Sequence, residues 1–346
     1  MINMSPEDFK KQISSDNQTK TGILLIQLGT PENASVPAVK AFIKELLTDP
    51  FMIPNKPAFW SLILNGIILP KQAKKSAKIY DSFFQEHGQT IITITNSLTL
   101  KLYENLSATN PFIVIRSAMR YSKPHITSVL DEMITEQGVE KLLIIPLFPQ
   151  YSHTTTGSIQ DVIKKHLKTL KTKPKARFIG SFCSHTLYIN TLSELINTYV
   201  TSLGTQPERL LLSYHGLPVS HIKKGDPYEN MCLTTSNLLK EYISFPPKHV
   251  LTSYQSRFGK EEWLTPYTED LIIKLAQEGI KRLAVCAPSF TIDCVETLYE
   301  IGKTYKELFL KNGGERLDLM PCLNDQEAWV LALSNLIKEE SAKIPK

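Results

Sequence analysis

The chain has 346 residues, 42% of them apolar, enough for the cores of two ordinary domains. Its formal charge of +5, from 39 basic and 34 acidic side chains with no block of one sign, gives no reason to expect a nucleic acid partner. Five cysteines without a Cys-x-x-Cys pair encode neither a zinc knuckle nor a local disulfide framework and suit a reducing, cytoplasmic setting.

Residues 1–20 are polar and mixed in charge, so no export signal is expected there. An apolar run at Ile23–Leu28 predicts the first strand, and apolar spacing over Val36–Leu47 predicts a helix after it. The longest apolar stretch, Phe51–Pro70, is broken by Pro54, Asn55, Lys56, Pro57 and Asn65-Gly66, which rules against a membrane-spanning helix. Lys71-Gln-Ala-Lys-Lys-Ser-Ala-Lys78 follows it. That basic run is either a solvated helix face or a patch for an acidic ligand or lipid surface. Further strands are predicted at Phe112–Ser117, Leu142–Leu147, Ala176–Ser181, Leu210–Tyr214, Val250–Tyr254 and Leu283–Ala287, with helices over Ile126–Ile134, Leu187–Val200 and Leu298–Leu310. This alternation predicts an α/β protein of two units, each a parallel sheet flanked by helices, with the boundary near the basic stretch Lys168–Lys175.

In open parallel sheets ligands bind beyond the carboxyl ends of the strands. Four strand-end loops stand out: Gln27-Leu-Gly-Thr-Pro31, Pro146 to Ser158, Ser213-Tyr-His-Gly-Leu-Pro218 and Pro288 to Leu298. His215 in the third is either a proton acceptor or metal ligand, with Gly216 permitting a tight turn, or a structural histidine bonded to backbone. Glu296 is either a helix cap reaching back to Asp293 or, with Asp293 and Glu300 at spacings of three and four, part of an acidic stripe able to pass on a divalent cation. Neither a GxGxxG nor a GxxxxGKS motif follows a strand, which disfavours the common nucleotide enzymes.

Ser213-Tyr-His-Gly-Leu-Pro218, Lys224-Gly-Asp-Pro-Tyr228, Tyr254-Gln-Ser-Arg-Phe-Gly259, Trp263-Leu-Thr-Pro-Tyr-Thr268 and Asp293-Cys-Val-Glu-Thr-Leu298 resemble, in order, signature blocks of the ferrochelatase family. Leu28-Gly-Thr-Pro31, Asn65-Gly-Ile-Ile-Leu-Pro70, Ala118-Met-Arg-Tyr121 and Pro149-Gln-Tyr-Ser152 extend the resemblance over residues 20 to 340, closest to the Gram-negative bacterial type. It implies the class II chelatase fold: two Rossmann-like lobes, 21–175 with 325–346 and 176–324, and a carboxyl-terminal helix crossing back to the first. The implied reaction is insertion of Fe2+ into protoporphyrin IX, giving protohaem. The family's active-site histidine falls on His215 and its glutamate on Glu296, both as catalytic and metal-holding residues, with Asp293 and Glu300 relaying protons or metal. Leu28, Tyr121, Tyr151, Trp263 and Phe290 are expected to wall the porphyrin, and Arg120 and the Ser152–Ser158 loop to hold its propionates. Gln27 stands where asparagine is usual. Gly88-Gln-Thr-Ile-Ile92 replaces an expected Gly-Ser-Pro loop, so no propionate contact is carried over from it.

Iron is expected as substrate, with no permanently bound cofactor and no 2Fe-2S cluster, because neither cysteine spacing used by cluster-bearing relatives is present. The apolar stretch resembles the lip bordering the family's cleft and suggests peripheral contact with the inner face of a membrane. Two other readings stay open: a chelatase for coproporphyrin III or a sirohydrochlorin-type ring, and a tetrapyrrole-binding protein without catalysis. A solute receptor or glycosyltransferase also fits a bilobed α/β fold alone.

Overall fold

Eight short parallel strands carry the architecture of the chain, for which a computed structural model describes residues 19–53 and 56–345. The polar segment read at residues 1–20 lies almost wholly outside the described residues. In the first lobe β1 (Thr21–Gln27), β2 (Ile113–Met119), β3 (Lys141–Pro146) and β4 (Lys175–Phe178) form a sheet of order β2-β1-β3-β4. In the second, β5 (Arg209–His215), β6 (Val250–Gln255), β7 (Arg282–Cys286) and β8 (Arg316–Leu319) form the order β6-β5-β7-β8. From Gly22 to Gln27 every residue of β1 is buried, as a central parallel strand covered on both faces requires. In each sheet the chain passes to one side of the central strand and then to the other. The ends of β1 and β5 are therefore topological switch points, where crevices open.

The eighth strand was not foreseen. β8 is a four-residue edge strand carrying Arg316 and Asp318, paired at 2.7 Å, so it has no apolar run to announce it. Lys171-Thr-Lys-Pro174, in the basic stretch at which the lobe boundary was expected, turns into β4, which pairs with β3 at the edge of the first sheet.

Among the helices used below are α1 (Val36–Thr48), α2 (Leu69–His87), α3 (Thr90–Ser107), α4 (Thr186–Ser202) and α5 (Glu327–Ser341). Within the Phe51–Pro70 stretch, residues 60–68 lead into α2: a turn at Trp60–Ile63, then a π-helical turn, Leu64–Ile68, that absorbs Asn65-Gly66 without ending the helix. Its inner side packs Leu64 and Leu69 on Leu47 of α1. Phe59, Leu62 and Ile67 stay outside, about 70% exposed at 71%, 71% and 68%. One continuous core joins the lobes: Ile23 and Leu25 of β1, Leu210 and Leu212 of β5, and Leu333 and Ile337 of α5 belong to it. Helix α5 is tied to the first lobe at both ends. Asp325, just before it, accepts hydrogen bonds from Ser97 and Lys101 at 2.6 Å, and Glu340 near its end pairs with Arg177 of β4.

Candidate active site

His215 is the last residue of β5. Its Nδ1 lies 2.7 Å from the carbonyl of Gly216, an acceptor only, so Nδ1 carries the proton in the neutral ring and Nε2 keeps its lone pair. Its backbone is held from both sides: the His215 amide donates to Ser289 Oγ at 3.1 Å, and Tyr228 Oη donates to the His215 carbonyl at 3.0 Å. Gly216 is needed for space. A Cβ there would lie 2.7 Å from the Gln255 carbonyl oxygen and 3.0 Å from the indole of Trp263, and Gly216 has no positive φ, so the expectation of a glycine-only turn is replaced by one of close packing.

Glu296 opens a long π-helical segment, Val295–Tyr305. It is not the cap. The Cys294 amide donates to Thr297 Oγ1 at 3.0 Å, so Thr297 satisfies the helix start and leaves the Glu296 carboxylate to the cavity it lines. His215, Glu296 and Glu300 share that cavity, about 460 Å³, within the range of small-molecule sites. Its opposite wall comes from α2, through Gln72, Lys75, Ser76, Ile79 and Tyr80, whose spacing places them on one helix face. Tyr80 escaped sequence analysis. Burial pushes its hydroxyl pKa up, and the negative charge of Glu296 adds to the effect, which places the phenol within the field of that carboxylate.

The predicted acidic stripe separates into two parts. Asp293 precedes the helix and is buried; its carboxylate accepts from Thr297 Oγ1 at 2.9 Å, Asn324 Nδ2 at 2.7 Å and the Cys322 amide at 3.2 Å, which leaves it no part in lining the cavity. Glu300 does line it. Its oxygens accept from the Ser256 amide at 2.9 Å, from Ser256 Oγ, from Tyr305 Oη at 2.7 Å and from Gln255 Nε2 at 3.2 Å. Ser256 adopts a φ of 64°, the left-handed region, and so turns its amide and hydroxyl toward one carboxylate. Burial and the adjacent Glu300 charge both push the Tyr305 hydroxyl well up, so it remains a donor.

Arg120 and Tyr121 face elsewhere. Arg120 donates to Asp49 at 2.6 Å and to Ser158 at 2.7 Å, and Tyr121 Oη donates to Asp49 at 2.8 Å. The Asp49 side chain, 1% exposed and a long-range partner no spacing revealed, thus gathers Arg120 and Ser158, expected to meet propionates, and Tyr121, expected as a wall residue. Ser152 is likewise spent, donating to Asp226 at 2.9 Å across the lobes. Leu28 and Tyr151 are half-buried in the first lobe, off the 460 Å³ cavity. Trp263 is buried behind Gly216, and the Phe290 ring stands 6.4 Å from that of His215. The cations that line the cavity are Lys75 and Arg257, the latter over the Tyr267 ring, 4.1 Å from its centroid, and paired with Asp270 at 3.0 Å.

All five cysteines are buried and free. Burial pushes the thiols of Cys232, Cys294 and Cys322 well up and that of Cys286 to about 12, so these four stay protonated at neutral pH.

Two Rossmann-like lobes enclosing a cavity that holds a histidine with a free Nε2 and a carboxylate define the chelatase class. Solved structures share the two-lobed fold: the chain matches the SirB protein of Bacillus subtilis solved with Fe3+ at a TM-score of 0.54, over 94% of this chain and 97% of that one, at 14% identity. A sirohydrochlorin chelatase of Bacillus subtilis subspecies spizizenii solved with cobalt matches at 0.53, with 11% identity and coverage of 94% and 97%. Sequence narrows the class. The ferrochelatase family model matches residues 20–341. A ferrochelatase of Photobacterium profundum is 41% identical over 92% of this chain and 97% of its own length, and one of Bradyrhizobium diazoefficiens is 36% identical over 98% and 99%. The chain belongs to the ferrochelatase family.

Proposed function

We propose that the family's reaction, insertion of Fe2+ into protoporphyrin IX to give protohaem, proceeds in this chain around His215 and Glu296. The enzyme is a ferro-lyase with iron as substrate. The observation that carries the proposal is the fixed tautomer of His215 in a cavity shared with Glu296. Metallation binds the cation to four ring nitrogens and releases the two pyrrole protons. The Nε2 lone pair accepts a proton or holds the incoming ion; Glu296 supplies negative charge that offsets the cation while its water is stripped. Glu300, anchored by its donors, takes part by setting the field beside Glu296. Asp293 is left out of the relay because its carboxylate is fully bonded. Lys75, at the cavity wall, takes the role of propionate donor in place of Arg120 and Ser152, since Arg257 is paired with Asp270. Leu28, Tyr151, Trp263 and Phe290 remain proposed walls for the macrocycle, with Arg120 and Tyr121 acting only by supporting that wall through Asp49.

Continuous metalloporphyrin formation with Fe2+ tests the assignment. His215→Ala is expected to lose at least about a hundred-fold in rate, within the range of lost acid–base assistance; wild-type turnover in that variant overturns it. Competition among protoporphyrin IX, coproporphyrin III and sirohydrochlorin is expected to favour the first.

None of the described helices is long and apolar enough to cross a membrane. We place the protein in the cytoplasm, touching a membrane through Phe59, Leu62 and Ile67, with the exposed Lys71, Lys74 and Lys78 of α2 behind them. Sedimentation with phosphatidylserine-containing vesicles at low salt is the check, and absence of the protein from the pellet sinks the idea.

A further inference from the structure

His215 and Glu296 sit on different elements, so something must fix one against the other. We infer that Gln255 is that positioning residue, a conclusion resting on the His215 and Glu296 assignment above. Gln255 ends β6 and is in register with His215 on β5. It is 1% exposed, and its bonds reach both elements. Its backbone carbonyl accepts the Gly216 amide at 2.7 Å, beside the histidine. Its side-chain Nε2 donates to the Glu296 carbonyl at 2.8 Å and to Glu300 Oε2 at 3.2 Å.

The orientation of that amide is itself imposed. Ser213 Oγ lies 2.8 Å from Gln255 Oε1, which only accepts, so Ser213 is the donor. Having given its one proton, Ser213 must accept from Thr268 Oγ1 at 2.9 Å, and Thr268 in turn from Ser253 Oγ at 2.8 Å. The result is a one-directional chain, Ser253 to Thr268 to Ser213 to Gln255 to Glu300, in which each bond polarises the next. A flipped Gln255 could still meet Ser213, the hydroxyls reversing, but it would set Oε1 against the Glu296 carbonyl and the Glu300 carboxylate, acceptor against acceptor. The amide therefore has one stable setting, with its N–H groups facing the Glu296 segment.

An isostere separates positioning from mere packing. Gln255→Met keeps length and volume without polar atoms; its kcat for iron insertion is expected to fall about ten- to a hundred-fold with porphyrin KM within about threefold, the cost of a small misplacement. A Met variant within twofold of wild-type kcat overturns the inference. Ser213→Ala, which frees the amide but keeps Gln255, should lose about three- to tenfold in kcat; wild-type kcat there overturns it even if the Gln255 variant does not fold. His215→Ala, run in parallel, separates the two ideas: if it stays active, the assignment of the site fails rather than the role of Gln255.

Discussion

Replacing Gly216 by alanine adds one methyl group at the most crowded point behind the active site. The new Cβ would stand 2.7 Å from the Gln255 carbonyl oxygen, and reaching the 3.4 Å of ordinary contact requires the backbone to open by about 0.7 Å. Trp263, 3.0 Å away on the other side, is 5% exposed, so it has little room to give ground. The Gly216 amide donates to that same Gln255 oxygen, so relief stretches a 2.7 Å hydrogen bond. Overpacking costs about 1–3 kcal/mol. Weakening a buried hydrogen bond adds about 1 kcal/mol, for a total near 2–4 kcal/mol and, in a chain of this length, a fall in Tm of about 3–6 °C. The Gly216 carbonyl also holds His215 Nδ1, so the ring moves with it, and kcat should drop by about tens of fold, approaching the hundred-fold that a 1 Å error can cost. Thermal unfolding and continuous haem formation read the two effects. A Tm within about 1 °C of wild type together with a kcat within twofold refutes the account, because it would mean that the crowding does not transmit to His215.

Asp49→Ala removes the acceptor of Arg120, Tyr121 and Ser158 and strands a largely buried guanidinium; a loss of about 3–5 kcal/mol in denaturant unfolding is expected, the cost of breaking a buried pair. Asp325→Asn tests the tie of α5 to α3. Hydrogen bonds from Lys101, then Ser97, lower the Asp325 pKa, so its stabilisation is complete above the unfolded value near 3.9 and is lost as pH falls through the lower folded value. The variant should therefore be less stable than wild type at pH 7, by about 1 kcal/mol, with the gap closing as the pH falls below the unfolded value. Tyr305→Phe deletes a donor to Glu300 and should cost about 1–2 kcal/mol in the same measurement, with a kcat deficit at unchanged KM.

The fold was legible where burial demanded apolar runs. β1, β3 and β5 are interior strands whose every apolar position answers to a packed neighbour, so their sequences could hardly read otherwise. The edge strand β8 escaped for the opposite reason: it is short and partly exposed, and charge at an edge opposes unwanted pairing rather than marking a loop. In the site, His215 was visible as a strand-end residue, but Arg120 illustrates the limit: its donors are claimed by Asp49, 71 positions earlier, and no local pattern predicts that partner. Tyr80 did have a signal. Gln72, Ser76 and Tyr80 recur at four-residue steps on α2, a polar line on a helix that is otherwise apolar inside and lysine-rich outside.

Glu296 shows most clearly why spacing alone misled. A stripe at three and four residues assumes α-helical winding of about 100° per residue, which would join Asp293, Glu296 and Glu300 and throw Tyr305, nine positions beyond Glu296, onto the opposite face. The segment is wound as a π-helix, with one more residue in each hydrogen-bonded ring. The positions that reach the cavity are accordingly 295 and 296, 299 and 300, 304 and 305, recurring every four to five residues. This winding carries Tyr305 round to Glu300, 2.7 Å away, and puts Glu296, Glu300 and their donors on one wall, while Asp293 stays behind at the helix start to hold Asn324 and Cys322. The acidic pair of the cavity is thus a product of helix type as much as of sequence. A change that restores α-helical winding over Val295–Tyr305 would turn Tyr305 away from Glu300 even with every side chain of the site retained.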